Sequence, residues 1–298
     1  MASISLPTSG VSGHRAMAAI EAKRLARHPV FIVGVVLAFV VLGLMFTLDD
    51  APTLGDTLSI PVIPAFFIGL TSLIATARLT RSTETSVEAV ATAPGSEARR
   101  TAALAAACLV PFAAGLAFVA ALLVGASVRG VAPQEWWFDT MPDWQVWSIL
   151  LALGPVACLG GGLLGVLTGR WVSFPAAAAA VVVATVAICL VGQLPIAYED
   201  TTRLRLWVPW AMFHSGTFED GTAVLFAGNP LFYLGYALSL CAAAALFAIW
   251  HDQSARTPRL RLAIGGVVVA GLACLALAAL TGPADNQVSD PIPHKVAQ

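Results

Sequence analysis

Residues 30–48, VFIVGVVLAFVVLGLMFTL, contain no charged side chain and show no alternation of apolar and polar positions. The hydrocarbon core of a bilayer is about 30 Å thick, and a helix crosses it with roughly 20 predominantly apolar residues. Helix is the state such a run must adopt, because lipid offers no partner to a free backbone N–H or C=O and a helix satisfies both internally. The run is too long for the apolar region of a signal peptide, and no small-x-small cleavage pattern follows it, so the sequence predicts a retained anchor.

Working outward, six further stretches have the same character: about 58–77, 101–125, 146–169, 172–195, 229–250 and 262–281. The chain of 298 residues is 58% hydrophobic and only 11% charged, where a soluble domain carries about 25% charged residues. Surface grows too fast with size for one soluble core to hide that excess, so lipid takes it. The fold class expected is all-α: a polytopic bundle of about seven transmembrane helices. Cys108, Cys158, Cys189, Cys241 and Cys274 all fall inside apolar runs with no CxxC spacing. They read as small hydrophobes, neither a disulfide framework nor a zinc site.

Net charge is −1, which gives no sign of a nucleic-acid partner. The distribution of charge says more. One set of connections holds twelve of the sixteen Lys and Arg residues: Arg15, Lys23, Arg24, Arg27, Arg78, Arg81, Arg99, Arg100, Arg170, Arg256, Arg259 and Arg261. The alternate set holds Arg129, Arg203, Arg205 and Lys295. Cytoplasmic loops carry the excess of Lys and Arg, so the N-terminus is expected in the cytoplasm and, with seven spans, the C-terminus outside a plasma membrane. Trp136, Trp137, Trp144, Trp147, Trp171 and Trp250 lie near span ends, at the headgroup level Trp prefers.

Four pieces lie outside the spans. In 14–29, HRAMAAIEAKRLARHP, apolar Met17, Ile20 and Leu25 mix with Arg15, Lys23, Arg24 and Arg27. This suits an amphipathic helix on the anionic cytoplasmic leaflet, ended by Pro29. Residues 78–100 form the longest cytoplasmic connection. Within it about 81–93 reads as a short helix capped by Ser82 or Thr83 and stopped by Pro94–Gly95, and Ser96 with Glu97 starts the third span. Residues 196–228 carry Leu204, Leu206, Trp207, Val208, Trp210, Met212 and Phe213 and suit an interfacial or re-entrant segment. The tail, 282–298, is polar with three prolines and is expected to be disordered.

Catalytic signatures are missing. The only lysines, Lys23 and Lys295, do not follow Gly, so there is no phosphate-binding GxxxxGK[ST] loop. HExxH and GxSxG are also absent, and the five histidines are scattered over different loops. The outer residues Glu199, Asp200, His214, Glu219 and Asp220 could supply acid-base groups to an embedded enzyme; topology-setting charge explains them more simply. No span interior holds Asp, Glu, Lys or Arg, the groups that bind or relay an ion in coupled pumps. Polar groups there are limited to residues such as Thr71, Ser72, Thr168, Thr185, Gln193 and Ser239. If this chain moves a solute, the work comes from elsewhere. Gly161, Gly165 and Gly169 recur every four residues on the fourth span, a small-residue stripe that lets helices approach closely, within this chain or against a second copy.

An interfacial helix (EAKRLARHP) leading into the first span, a cytoplasmic helix between the second and third, and an apolar outer segment before the sixth together resemble the type-2 permease subunits of ATP-binding-cassette transporters, in the style of high-GC Gram-positive bacteria. The segment RLTRSTETSVEAVATAPGSEARRTAAL, residues 78–104, carries the likeness most closely. The resemblance covers roughly 14–250 and rests on layout more than identity. It implies that the helix at about 81–93 is a coupling helix that docks on a separate ATPase subunit, with Thr83, Glu84, Glu88, Ala89 and Val90 at the docking surface and Arg99 and Arg100 beside it. It implies an exporter in which ATP and Mg are bound by the partner, this chain holding no cofactor, and a second permease subunit, the same or a related chain, completing the path. The alternative is a non-transporting anchor, assembly or sensor subunit. The stretch 262–281 departs from the six-span pattern, as an appended span or as a sign of one half of a split permease.

Overall fold

A computed structural model describes residues 10–48, 58, 60–85, 96–128, 142–193, 199–213, 223–282 and 287–289. Helix α1 (Gly10–Ala26) leads into α2 (Pro29–Leu48). Pro29 opens α2 rather than closing α1, which stops at Ala26: proline lacks the N–H that a first helical turn leaves unpaired anyway. α3 starts as Val62–Pro64, passes through a π-helical turn (Ala65–Gly69) and continues as Leu70–Thr85. α4 comprises Glu97–Ala107 and Leu109–Val128. α5 comprises Asp143–Leu151, a second π-helical turn (Ala152–Val156) around Pro155, and Ala157–Trp171. α6 (Ala177–Gln193), a 3-10 stretch (Glu199–Trp207), α7 (Pro230–Trp250), a 3-10 turn (Gln253–Ala255) and α8 (Pro258–Thr281) follow.

Among the described residues six helices, α2, α3, α4, α5, α7 and α8, are long and apolar enough to cross a bilayer. The expected span at 172–195 is shorter than read from the sequence. Pro175 holds the chain before it out of the helix, and α6 has 17 residues, roughly 25 Å at 1.5 Å per residue and the low end for a crossing. Its two ends nevertheless reach opposite ends of the bundle. Just before α6, the carbonyls of Val172 and Phe174 accept from Arg81 at the end of α3. Near its other end Cys189 clusters with Trp210 and Ala65, and Gly192 packs on Val208.

The bundle therefore has a basic end, where Arg24, Arg81, Arg170, His251 and Asp252 meet, and an opposite end where Leu58, Val208, Phe213, Tyr233 and Ala278 share a core. The outward faces are apolar: Val36, Val40 and Leu44 on α2 and Val269, Leu272 and Leu280 on α8 are all exposed. In water such faces would drive aggregation; hydrocarbon solvates them. The chain is an all-α, multi-pass membrane bundle with one small exception among the described residues. β1 (Ala223–Leu225) pairs antiparallel with β2 (Gln287–Ser289), Val224 opposite Val288. Part of the tail expected to be disordered thus forms a strand, its backbone groups satisfied by the residues before α7.

Candidate functional site

The centre of the bundle is the contact between α3 and α5. A methyl group at Gly161 would strike the backbone of Gly69, one at Gly165 the carbonyl of Leu73 and the hydroxyl of Thr76, and one at Gly169 the Cβ of Thr80. All three glycines therefore face α3 of the same chain. The close approach lets hydroxyls bridge the helices: Thr76 Oγ1 donates to Gly162 O (2.8 Å) and Ser72 Oγ reaches Cys158 O (3.4 Å). The two π-helical turns lie next to this seam and in contact with each other, and Gly115 of α4 admits Pro155. A π turn inserts one residue into a helix and leaves a carbonyl without its regular partner; the Cys158 thiol donates to Pro64 O at 3.3 Å.

On the flank of that seam, α6 and α7 stand apart over a floor of α5 and α3. The gap is a cavity of about 330 Å³ lined by Leu73, Gly161, Leu164, Cys241 and Phe247 and, toward the end opposite the basic one, by Pro209 and Trp210. Its one hydroxyl, that of Thr185, donates to Val181 O on its own helix (2.7 Å). An apolar cavity of this kind suits hydrocarbon rather than ions.

At the basic end three helices are tied by one carboxylate. Glu97, in the first turn of α4, accepts from Arg170 Nη1 of α5 (3.2 Å) and lies 2.9 Å from Nδ1 of His251, which follows α7. Arg170 is almost fully buried there. Asp252 accepts from Ala98 N (2.9 Å), and Ser96 Oγ accepts from Arg99 N, so the exposed N–H groups of α4 are met by side chains. Hydrogen bonds to the Asp252 carboxylate, first from the Ser254 hydroxyl and then from backbone, hold it below the usual carboxylate range. Trp171 packs edge-on against His251 (5.4 Å) and donates to Phe247 O on the cavity wall (2.9 Å).

The residues expected to dock a partner are placed as follows. Thr83 and Glu84 fall in the last turn of α3, which runs on from the membrane without a break. Glu88, Ala89 and Val90 lie outside the described residues. Arg99 and Arg100 sit in the first turn of α4, beside the Glu97 cluster. Of the outer residues weighed as acid-base groups, Glu199 and Asp200 fall in the 3-10 stretch, and His214, Glu219 and Asp220 lie outside the described residues. Among the described residues no three His, Cys, Asp or Glu side chains gather as a metal site would require.

Sequence reading missed two features. One is the Glu97–Arg170–His251 cluster, whose only advance sign was opposite charge at span ends on the same side. The other is Arg205, fully buried in the outer segment. Its Nη2 donates to Ala227 O (2.6 Å), and its guanidinium lies over the rings of Phe213 (5.1 Å) and Phe226 (5.0 Å).

Comparison with protein-family models, with curated proteins and with solved structures gives no match for this chain.

Proposed function

We propose that the chain is the membrane-spanning permease subunit of an ATP-driven, ATP-binding-cassette transporter working as an exporter, with its basic end and N-terminus in the cytoplasm of a cell membrane. The bias of Lys and Arg to one end supports the orientation. Span interiors without ionisable groups argue for imported work rather than a proton or ion motor.

The Glu97 carboxylate carries the reading. The connection between α3 and α4 is where a partner ATPase would push, and its far end is fastened to α5 and α7 through one carboxylate. Those two helices supply walls of the apolar cavity. A displacement applied to the connection is therefore passed to the cavity through charge-assisted bonds, which are short and directional. Arg81, by holding the carbonyls before α6, extends the same linkage to the cavity's remaining wall.

Co-purification tests the proposal. The tagged chain should bring down a separate ATPase subunit, and Glu84→Arg with Glu88→Arg should abolish the association. Glu97→Ala should leave association intact and uncouple ATP hydrolysis from cargo. A chain that purifies from its native membrane with no ATPase, or a charge-reversed double variant that still binds one, would end this reading.

A further inference from the structure

The apolar cavity is a groove open to the bilayer. α6 and α7 hardly touch, and the lining side chains Leu240 and Phe247 of α7 are 37% and 39% exposed. A gap between two membrane-spanning helices meets acyl chains, not water. Lipid tails are as apolar as Leu, so no hydrophobic force moves a chain from the bilayer into the groove. Van der Waals contact does: a chain lying there touches α3, α5 and α7 at once, and an empty groove forfeits those contacts.

The groove has the length and the polarity of one leaflet. Along α7 it runs from Ala237 to Phe247, ten residue rises or about 15 Å, half of a hydrocarbon core of about 30 Å. Along α5 it runs from Val156, at mid-helix, to Leu167 near the basic end. Its mid-membrane end is apolar, for Trp210 packs there with Ala65, Leu70, Ala157 and Cys189. Its other end carries polar anchors. The Trp171 indole, half exposed, donates to Phe247 O, at the headgroup level that Trp prefers. Arginines border this end on both sides: Arg81 donates to the carbonyls of Val172 and Phe174 before α6, and Arg256 to that of Trp250 at the end of α7.

We infer that the groove holds one acyl chain of a phospholipid from the leaflet at the basic end, with the lipid phosphate at the Trp171 end and the terminal methyl of the chain at Trp210. This lipid is a bound component of the bundle, distinct from the annular chains that lie on the exposed faces of α2 and α8. The inference concerns binding alone and holds whether or not the chain works with an ATPase.

The test places the full chain in phosphatidylcholine vesicles containing a photoreactive phosphatidylcholine, its diazirine either at the terminal methyl of one acyl chain or near the carboxyl end of that chain. Peptide mapping after irradiation should find the terminal probe concentrated at Leu70, Ala157 and Trp210, and the carboxyl-end probe at Leu167 and Phe247. Native mass spectrometry of the chain extracted in a neutral maltoside should show one retained phospholipid. Ala243→Trp, which fills the groove, should lose both the retained lipid and the groove label, and Val269→Trp on the exposed face of α8 should keep both. Groove label no stronger than that at Val36 and Val269 in the unaltered chain overturns the inference. So does a reversed order of the two probes, a chain stripped of all phospholipid by maltoside, or a folded Ala243→Trp that keeps its lipid. If Ala243→Trp does not fold, the two-probe map of the unaltered chain decides alone. A chain that labels in the expected pattern but recruits no ATPase would sink the transport reading and leave the lipid site standing.

Discussion

The hydroxyl of Thr76 stands 2.8 Å from the carbonyl of Gly162 on the facing helix, and at the same distance from the carbonyl of Ser72 on its own. One proton serves two acceptors, so Thr76→Val should weaken the α3–α5 contact only slightly, by about 0.5–1 kcal/mol, within the range for such bonds in membrane proteins. Thr76→Ser should be neutral. Gly165→Val tests the approach itself. Its new methyl groups would meet the backbone of Leu73, which cannot swing aside as a side chain can. The loss should be roughly 3 kcal/mol or more, at or beyond the top of the usual overpacking range. Denaturant unfolding of the three variants in mixed micelles should give that order; a stable Gly165→Val would show that α3 and α5 do not touch there.

Glu97 should matter more than its partial exposure suggests. Its partner Arg170 is buried, with 4% of its side chain exposed, and removal of the carboxylate takes away a charge-assisted hydrogen bond, at a cost of about 1–3 kcal/mol. Glu97→Ala should therefore destabilise by that amount, and Glu97→Gln, which keeps an acceptor, by less. The comparison is Glu21→Ala. Glu21 pairs with Arg24 one turn away on α1, where the Arg24 guanidinium is 41% exposed to solvent, and i,i+3 pairs with an exposed partner contribute about 0.5 kcal/mol or less. A double-mutant cycle over Glu97 and Arg170 should show coupling that survives high salt, and the Glu21–Arg24 cycle should not.

Asp252 sets a pH limit at the same end. Its carboxyl lies below the usual range because the Ser254 hydroxyl and the backbone of Ala98 and Ser254 donate to the charged form. A depressed folded value means the unfolded chain binds the proton first, so the stabilising contribution is complete above the ordinary aspartate value of about 4 and fades as pH falls through the lower, folded value. Stability measured from pH 6 down to pH 3 should decline more steeply in the natural chain than in Asp252→Asn, the difference between the two shrinking toward the acid end. Parallel curves would mean that Asp252 does not cap α4.

Much of the helical layout was legible because apolar length is a one-dimensional signal. The stretch 229–250 is observed as Pro230–Trp250, and 262–281 as Pro258–Thr281, lengthened at its start because Thr257 caps Leu260 N. The third span starts at Glu97 rather than 101, since Ser96 caps a helix that extends beyond the hydrocarbon. Gly161, Gly165 and Gly169 were visible as a stripe, but which helix they meet depends on packing order. The Glu97–Arg170 pair joins residues 73 positions apart, and no periodicity reports such a contact. Arg205 looked like an ordinary outer charge; its burial follows from Phe213 and Phe226 folding over it, which composition cannot foretell.

The route of α6 is the part of the topology that length alone leaves weakest, because 17 residues could either cross or dip. The contacts at its two ends favour a crossing: Arg81 holds the chain just before it, and Val208 packs on Gly192 near its end. Single cysteines test this directly. Placed in a background with the five native cysteines replaced, Ser173→Cys precedes α6 and Leu204→Cys follows it; both sites are exposed. In the proposed orientation, with the basic end in the cytoplasm, a membrane-impermeant maleimide applied to intact cells should label position 204 within minutes and position 173 only after lysis. If α6 merely dipped, both positions would lie on one side and label alike. The remaining helices would then number six, and α8 would return the chain to the side from which it started.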